Sequence, residues 1–250
     1  MNTQVDWAQI KVWRKARRAE LIARREQASP ADRQHWNASI TARRESGFEP
    51  LGRLTIGFCW PYKGEFDARF AIRTFRQRGA AAALPAVVDK TGPLEFRLWW
   101  PGAPMTPGVY AIPVPDGTRP VVPDAAIVPM NGFDEHGYRL GYGGGYFDRT
   151  LAAAVPRPIS IGVSYELARM PTIHPQAHDI AMDFVVTEAG IYAVTAGALE
   201  SVDAKDCSAR VERLCEERGL PRQAAGSVGY SSPACYAAEF PGYFGETAEK

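Results

Sequence analysis

The stretch AAIVPMNGFDEHGYRLGYGGGYFDR, residues 125–149, decides the fold. It begins with a short apolar run, 125–130, of the kind expected for a buried strand. Four glycines follow at 141, 143, 144 and 145, where they leave backbone N–H groups uncovered. A helix is predicted after them, through about Ala154. The stretch therefore predicts a strand, an anion-binding loop and a helix N-terminus, at the strand end where open α/β sheets bind ligands.

Further strands and helices are predicted on both sides of this stretch. A helix is expected over residues 67–78, and residues 101–123, which are rich in proline, are expected to form a long ordered loop. Apolar runs predict buried strands at 54–59, 81–88, 95–100, 159–163 and 184–187. Strands that alternate with helices predict an α/β fold with an open, mostly parallel, Rossmann-like sheet flanked by helices.

The first 50 residues are the basic part of the chain. Residues 5–27 contain no glycine or proline and predict an arginine-rich helix. Ser29-Pro30-Ala31-Asp32 has the composition of a helix start, so a second helix is expected to about Ser46, ended by Gly47. The whole chain carries a formal charge of only +1. The excess of basic residues in this segment is therefore balanced by an excess of acidic residues in the rest of the chain.

Composition excludes several classes of protein. The chain has 250 residues, of which 46% are hydrophobic and 23% charged, as in soluble globular proteins. A net charge near zero argues against a surface that attracts nucleic acid or acidic membranes, and no apolar run approaches the ~20 residues of a membrane span. The four cysteines lack metal-ligand spacing and indicate idle thiols in a reducing compartment. A cytoplasmic protein without nucleic-acid or membrane partners is expected.

The domain organisation is predicted from where the strand pattern stops. Residues 1–195 are expected to form a single catalytic α/β domain that includes the N-terminal basic helix. Residues 196–250 are expected to be a C-terminal extension, with one helix at about 203–218 followed by a loop or a disordered tail.

The glycine-rich segment indicates a phosphate site. Arg139 offers a forked, permanently charged contact to phosphate, and Asp148 is placed to hold a hard cation such as Mg²⁺ beside it. A dinucleotide fingerprint would need glycine where Tyr146 stands, and no glycine of the loop is followed by the lysine of a P-loop. A nicotinamide-dependent dehydrogenase is thereby disfavoured. The alternative that the glycines only allow a tight turn remains open.

The motif Arg139-Leu140-Gly141-x-Gly143-x-Gly145-Tyr146-Phe147-Asp148 resembles the signature of the 5-formyltetrahydrofolate cyclo-ligases, also called methenyltetrahydrofolate synthetases. The resemblance extends over residues 11–190, about three quarters of the chain. Weaker matches lie in the same order as in the family: Gly64-Glu65, Leu84-Pro85, Ile112-Pro113-x-Pro115, Pro129, Phe133-Asp134, Gly137, Asp179 and Thr187.

The resemblance implies a ligase that uses ATP and Mg²⁺ to close 5-formyltetrahydrofolate to 5,10-methenyltetrahydrofolate, with release of ADP and phosphate. Its implied partners are the folate substrate and ATP. A monomer is expected, with a dimer left open. The alternative is a catalytically weak folate- or nucleotide-binding paralogue with a regulatory or partner-binding role.

The resemblance also implies roles for individual residues. Arg139, Tyr146 and Asp148 would be catalytic, and Asp148 and Asp179 would bind Mg²⁺. The substrate would be bound by Glu65, Tyr62, Tyr142 and Tyr146. The ATP site would consist of Arg14, Arg18, Lys11, Arg139, Leu140, Gly141, Tyr142, Gly143, Gly144, Gly145, Tyr146 and Phe147.

Three departures from the family pattern bear on these roles. The family has a lysine and, four residues on, an arginine in the N-terminal helix; they correspond to Arg14 and Arg18, with Lys11 and Lys15 as the competing register. Phe147 stands where the family often has tyrosine. The loop 59–64 is one residue longer than usual, which affects the role of Tyr62.

Overall fold

The computed structural model describes residues 6–221. In chain order its helices and strands are α1 (Trp7–Gln27), α2 (Pro30–Gly47), β1 (Thr55–Gly57), α3 (Arg69–Gln77), β2 (Ala81–Ala86), β3 (Glu95–Trp99), β4 (Met105–Pro107), β5 (Pro113–Pro115), β6 (Pro120–Val121), β7 (Ala125–Pro129), β8 (Gly132–Asp134), β9 (Arg139–Leu140), α4 (Tyr146–Ala153), β10 (Ile159–Val163), β11 (Arg169–Met170), β12 (Phe184–Val186), β13 (Ile191–Thr195), β14 (Ala198–Val202) and α5 (Ala204–Glu217).

The centre of the fold is a nine-stranded sheet with the order β14-β13-β12-β10-β7-β1-β2-β3-β6. The five central strands, from β12 to β2, pair in parallel, and the outer strands pair antiparallel. The predicted α/β class with a mostly parallel sheet is therefore confirmed. Short connections join β12 to β13 and β13 to β14, whereas β6 pairs with β3 only after the β4–β5 hairpin. The parallel pairs need crossover connections.

Helices cover both faces of this sheet. Successive residues of β7 point to opposite faces: Ile127 packs with the cluster under α2, α3 and α5, and Val128 packs with the cluster that contains Leu21 of α1 and Leu151 of α4. Because a strand alternates its side chains, an apolar run without polar interruptions is what a strand buried on both faces requires. The basic helix α1 thus packs on the same face as α4, the helix that follows the glycine loop.

The starts of two helices follow the local sequence closely. Ser29 caps α2, with its hydroxyl accepting from the backbone N–H of Asp32 at 3.0 Å, and Pro30 occupies the first helical position. Gly145 precedes α4 with φ +64°, a left-handed conformation that glycine adopts without steric cost. The cap of α4 is therefore also the last residue of the glycine loop.

The prediction of a long loop over residues 101–123 is wrong in part. A hairpin of β4 and β5 forms here, with Met105 opposite Pro115, and β6 adds a short edge to the main sheet through Pro120. Proline lacks an N–H donor, so it is tolerated on strands with an unpaired edge. These strands are created by pairing between segments, which local periodicity does not report.

The glycine-rich stretch also contains more regular structure than predicted. Between the end of β7 and Gly141, the chain forms the antiparallel pair β8–β9, with Phe133 opposite Arg139. β11 pairs in parallel with β8 and completes a small three-stranded sheet. This small sheet carries Arg139 to the edge of the glycine loop.

Residues beyond 195 continue the fold. β14 pairs with β13 along its whole length, and α5 packs against α2 with Cys207, Val211 and Cys215 buried. The predicted helix at about 203–218 corresponds to α5. The tail expected after it lies at 222–250, outside the described residues. In the described part of the chain, no helix is both long and apolar enough to cross a membrane.

Candidate active site

The candidate site lies at the carboxyl ends of the parallel strands β1 and β7. The chain leaving β1 leads to Glu65, and the chain leaving β7 leads through β8 and β9 into the loop 141–145. Helix α1 lies against both segments, because Arg18 donates to the carbonyl of Gly141 and Arg25 donates to the carbonyl of Lys63. Three parts of the chain that are distant in sequence thus meet at one end of the sheet.

The glycines of the loop serve different purposes. Gly143 and Gly145 have φ of +97° and +64°, so the backbone itself favours glycine there. A Cβ at Gly143 would lie 3.2 Å from Nη2 of Arg18, and one at Gly144 would lie 2.7 Å from the ring of Tyr146. At Gly141, by contrast, φ is not positive and a Cβ would meet open space. The fold of the described residues therefore does not explain glycine at position 141.

Helix α1 presents two arginines to this loop. Arg18 donates from Nε to the carbonyl of Gly141 at 2.5 Å, and burial together with the charge of Arg14 lowers its pKa. Arg14 lies one turn earlier and donates to Asp179. Lys11 and Lys15 are exposed, with the Lys11 ammonium 5.6 Å from the ring centroid of Trp7. The structure thus brings Arg18 to the loop and Arg14 to Asp179, and leaves both lysines exposed.

Arg139 and Asp148 join the two ends of the glycine loop. Nη2 of Arg139 lies 2.9 Å from Oδ2 of Asp148, and the Arg139 side chain is 5% exposed. Burial lowers the pKa of Arg139, while the charge of Asp148 opposes that shift. Oδ1 of Asp148 accepts from the backbone N–H of Ile180 at 3.2 Å. Ile180 directly follows Asp179, the second carboxylate of the predicted metal site.

The two carboxylates expected to bind a metal therefore flank one arginine. Both Asp148 and Asp179 act electrostatically on Arg139. Burial opposes the ionisation of Asp179, but hydrogen bonds from Arg14 and from the backbone of Gln176, with the charge of Arg14, lower its pKa overall. Asp179 is thus suited to remain charged.

This donor set fits Mg²⁺ bound together with phosphates. Among residues 6–221, no group of three or more histidine, cysteine or carboxylate side chains could hold a metal ion. Magnesium in phosphoryl-transfer sites is commonly held by one or two carboxylates, with water and the phosphates of the substrate completing its coordination. Asp148 and Asp179 provide two hard oxygen donors next to the glycine loop.

The remaining members of the predicted set border the same loop. Tyr146 is the first residue of α4 and lies under the guanidinium of Arg149, 5.0 Å from its ring centroid. Phe147 packs against the apolar cluster on the α1 side of the sheet, with Arg139 5.7 Å from its ring centroid. Leu140 is buried in that cluster. Phe147 thus contributes packing near Arg139, with no hydroxyl to donate.

Glu65 lies on the other side of Tyr142 and is almost fully buried. Its Oε1 accepts from the Tyr142 hydroxyl at 2.8 Å, and its Oε2 accepts from the backbone N–H of Tyr62 at 3.1 Å. Burial raises the pKa of Glu65, while the charge of Arg25 and these two hydrogen bonds oppose the shift. The structure therefore brings the predicted carboxylate and two predicted tyrosines into direct contact.

Two further residues at this site are not in the predicted set. Arg25 donates to the Tyr142 hydroxyl at 3.1 Å, and Tyr110 stacks on Tyr62 with ring centroids 6.4 Å apart. Arg25 follows Arg18 by seven residues, which places it on the same face of a helix, so spacing could have indicated it. Tyr110 lies in the turn between β4 and β5 and is mostly exposed; its position depends on the hairpin that periodicity did not predict.

The chain is similar in sequence to one family of known proteins. Residues 10–188 match the sequence profile of the 5-formyltetrahydrofolate cyclo-ligase family. The chain is 26% identical over 180 residues to a 5-formyltetrahydrofolate cyclo-ligase of Escherichia coli (strain K12), which covers 69% of this chain and 99% of that protein. It is 30% identical over 155 residues to the enzyme of the same name from Mycolicibacterium smegmatis, covering 57% and 77%.

Two solved structures share the fold. One is a 5,10-methenyltetrahydrofolate synthetase from Aquifex aeolicus, with a TM-score of 0.65 and 24% identity, covering 76% of this chain and 96% of that chain. The other is a 5,10-methenyltetrahydrofolate synthetase from Mycoplasma pneumoniae, with a TM-score of 0.59 and 21% identity, covering 70% and 98%. Both matches extend over nearly the full length of the solved chains.

Proposed function

The chain belongs to the 5-formyltetrahydrofolate cyclo-ligase family, and from that premise we propose that it converts 5-formyltetrahydrofolate and ATP into 5,10-methenyltetrahydrofolate, ADP and phosphate. One observation carries the proposal: Arg18 contacts the glycine loop, while Arg139 and Arg14 pair with the two carboxylates, Asp148 and Asp179. A triphosphate with its cation requires three kinds of group: forked donors with a permanent charge, backbone N–H groups, and hard oxygen ligands for the cation.

The reaction needs activation of a poor leaving group. The formyl oxygen attacks the terminal phosphorus of ATP and ADP departs, while the N5 lone pair moves into the bond to the formyl carbon, so that an iminium phosphate forms on N5. N10 then attacks the formyl carbon, the former formyl oxygen leaves with the phosphate, and N10 loses its proton. Neither step needs a nucleophile from the protein, because phosphoryl transfer is catalysed mainly by positioning and charge neutralisation.

The residues that would bind ATP and its cation lie on one side of Tyr142, and those that would bind the folate lie on the other. On the loop side, Arg18 and Arg139 would neutralise the transferred phosphoryl group, and the N-terminus of α4 at Tyr146 would add backbone donors. Asp148 and Asp179 would hold Mg²⁺, which neutralises phosphate charge when bound. On the other side, Glu65 would accept hydrogen bonds from the heterocycle of the folate, with Tyr62 and Tyr142 against its ring.

An absorbance assay tests the proposal. The purified chain should form the methenyl product, seen by its near-ultraviolet absorbance, only when 5-formyltetrahydrofolate, ATP and Mg²⁺ are all present. Omission of each component in turn is the control. Absence of product with all components present, from a chain whose folding is verified by circular dichroism, contradicts the proposed reaction.

A second candidate function is a binding paralogue with little turnover. Two observations favour it: Phe147 lacks the hydroxyl that the family often has, and Arg14 already uses its donors on Asp179, Ile173 and His174. Such a protein would bind ATP or folate without consuming ATP. Measurement of ATP hydrolysis with and without 5-formyltetrahydrofolate separates the candidates, since only the ligase shows folate-dependent ADP release.

A further inference from the structure

The Glu65 carboxylate is held by groups from three separate parts of the chain. Tyr142 of the glycine loop donates to Oε1, and the backbone N–H of Tyr62 donates to Oε2. From helix α1, Nη2 of Arg25 lies 4.0 Å from Oε1. The side chains of Arg25 and Glu65 are each 5% exposed, so the pair is shielded from solvent and from dissolved salt.

Arg25 also fixes the two segments that contact Glu65. Its Nη2 donates to the Tyr142 hydroxyl at 3.1 Å, and its Nε donates to the carbonyl of Lys63 at 2.9 Å. Lys63 and Gly64 have φ of +49° and +72°, a tight turn that ends at Glu65. The Arg25 guanidinium therefore joins the turn at Lys63 to Tyr142, the loop residue that donates a hydrogen bond to Glu65.

The charges around Glu65 make Arg25 the main opposing cation. Burial raises the pKa of Glu65, and the charge of Arg25 is the largest influence that lowers it. Other titratable groups in this region, among the described residues, include Tyr62 and Lys63 of the turn, Arg33 of α2 near Gly64, Cys59, Tyr142 and Tyr165. Loss of Arg25 would leave a buried carboxylate without its nearest cation, which favours the protonated form.

We propose that Arg25 is a positioning residue for substrate binding: acting through Tyr142 and the turn at Lys63, it keeps the Glu65 carboxylate charged and oriented toward the heterocycle of the substrate. A charged carboxylate accepts hydrogen bonds from ring N–H and amino groups about twice as strongly as a neutral acceptor does. The identity of this ligand rests on the proposed function. The contact between Arg25 and Glu65 does not.

The first test measures Glu65 directly in the ligand-free full chain. Carboxyl ¹³C shifts are followed against pH in protein labelled at glutamate, with Glu65→Gln used to assign the signal. In Arg25→Met the titration midpoint of Glu65 should rise by about one pH unit or more, and Arg25→Lys should recover most of that shift. Arg17→Met is the matched control on the same helix, since Arg17 pairs only with Glu20 at the surface among the contacts described.

The second test separates positioning from a purely structural role. At a pH about one unit below the raised Glu65 midpoint, only about a tenth of Glu65 is ionised, so the KM of Arg25→Met for 5-formyltetrahydrofolate should be about 10-fold higher than its own value at high pH, while kcat changes less than about 2-fold. Because Glu65 must be ionised, this KM should fall again as the pH rises through the raised midpoint. Arg25→Lys and Arg17→Met should keep a KM near that of the unmodified chain.

Two results overturn the inference. One is an unchanged Glu65 midpoint in a folded Arg25→Met, and the other is a KM increase of the same size at every pH. If Arg25→Met does not fold, Tyr142→Phe takes its place, because it removes the hydrogen bond to Oε1 and should also raise the midpoint. If the unmodified chain shows no turnover, the proposed function fails, and the ligand-free titration still decides whether Arg25 holds Glu65 charged.

Discussion

Arg14 and Asp179 form a two-point ion pair across 165 residues of sequence. Nη1 and Nη2 of Arg14 donate to Oδ1 and Oδ2 of Asp179 at 3.3 and 2.6 Å. Nε and Nη2 of the same arginine also donate to the carbonyls of Ile173 and His174. This pair ties helix α1 to the segment before β12, and it joins a residue expected to contact ATP to one expected to bind Mg²⁺.

Removal of this pair should weaken the fold in a pH-dependent way. Arg14→Gln is expected to lower the free energy of unfolding by about 1–3 kcal/mol at pH 7, because it leaves a partly buried carboxylate without its cation. Since Arg14 holds the pKa of Asp179 below its unfolded value, this difference is complete above about pH 4 and is lost as the pH falls toward the lowered pKa.

Urea unfolding of the unmodified chain and of Arg14→Gln, between pH 7 and pH 3, measures that difference. Arg17→Gln is the control from the same helix, where the exposed pair with Glu20 contributes little. A stability difference that stays constant down to pH 3 would contradict the electrostatic explanation.

Asp148 should be essential for turnover. Asp148→Asn is expected to lower kcat at least 100-fold, because it removes one of two charged ligands proposed for Mg²⁺ and releases Arg139 from its partner. The rate of methenyl product formation is measured well below the melting temperature, since the unpaired Arg139 should also cost about 1–3 kcal/mol of stability. Asp206→Asn, an exposed substitution in the first turn of α5, serves as the control. Turnover of Asp148→Asn within 3-fold of that control would argue against the metal role.

A substitution at Gly141 tests whether the loop binds phosphate or is only a turn that requires glycine. Because a Cβ at this position meets open space and φ is not positive, Gly141→Ala should change the free energy of unfolding by less than about 1 kcal/mol. If the backbone at position 141 contacts phosphate, the KM of Gly141→Ala for ATP should rise about 10-fold or more.

Gly143→Ala is the comparison variant for this loop. Its φ of +97° and the nearby Arg18 guanidinium should make it lose about 1–2 kcal/mol of stability. Steady-state kinetics in ATP and urea unfolding of both variants provide the measurements. An unchanged KM for ATP in Gly141→Ala would indicate that the loop does not approach the nucleotide closely.

Gly137 should matter for stability because of a packing contact. Gly137 and Gly197 both have φ of +80°, but a Cβ at Gly137 would lie 2.4 Å from Cγ2 of Val194, whereas one at Gly197 would meet nothing within 4 Å. Gly197→Ala should lower the free energy of unfolding by about 1–2 kcal/mol through backbone strain alone. Gly137→Ala should lower it by the same amount and by about 1–3 kcal/mol more, because the new Cβ overpacks against β13. If thermal unfolding shows the same loss of stability in Gly137→Ala and Gly197→Ala, the Val194 side chain moves aside without a measurable free-energy penalty.

The fold class and the family could be predicted because their signals are local. An apolar run such as 125–130 reports burial on both faces of a strand, and Ser29 with Pro30 reports a helix start, without reference to the rest of the chain. The glycine motif and Asp148 lie within ten residues of one another, so their chemistry is visible as a spacing. The mostly parallel sheet follows from the alternation of these local elements.

The register of α1 could not be decided from its own sequence. Arg14 and Arg18 are four residues apart, and so are Lys11 and Lys15, so each basic pair spans one helical turn. Only the packing of α1 against the glycine loop turns Arg18 toward Gly141 and leaves Lys15 exposed. The hairpin that carries Tyr110 depends in the same way on pairing between β4 and β5.

The contacts of Glu65 are the clearest case of what the tertiary structure decided. Sequence indicated Glu65 and Tyr142 as separate members of a site, but Arg25 lies 117 residues from Tyr142 and 40 from Glu65. No local pattern reports which charge will stand beside a buried carboxylate. The parallel order of β1 and β7 brings their carboxyl ends together, and α1 then supplies the cation. Local sequence determines the elements and the motif, whereas burial and opposing charge depend on how distant segments pack.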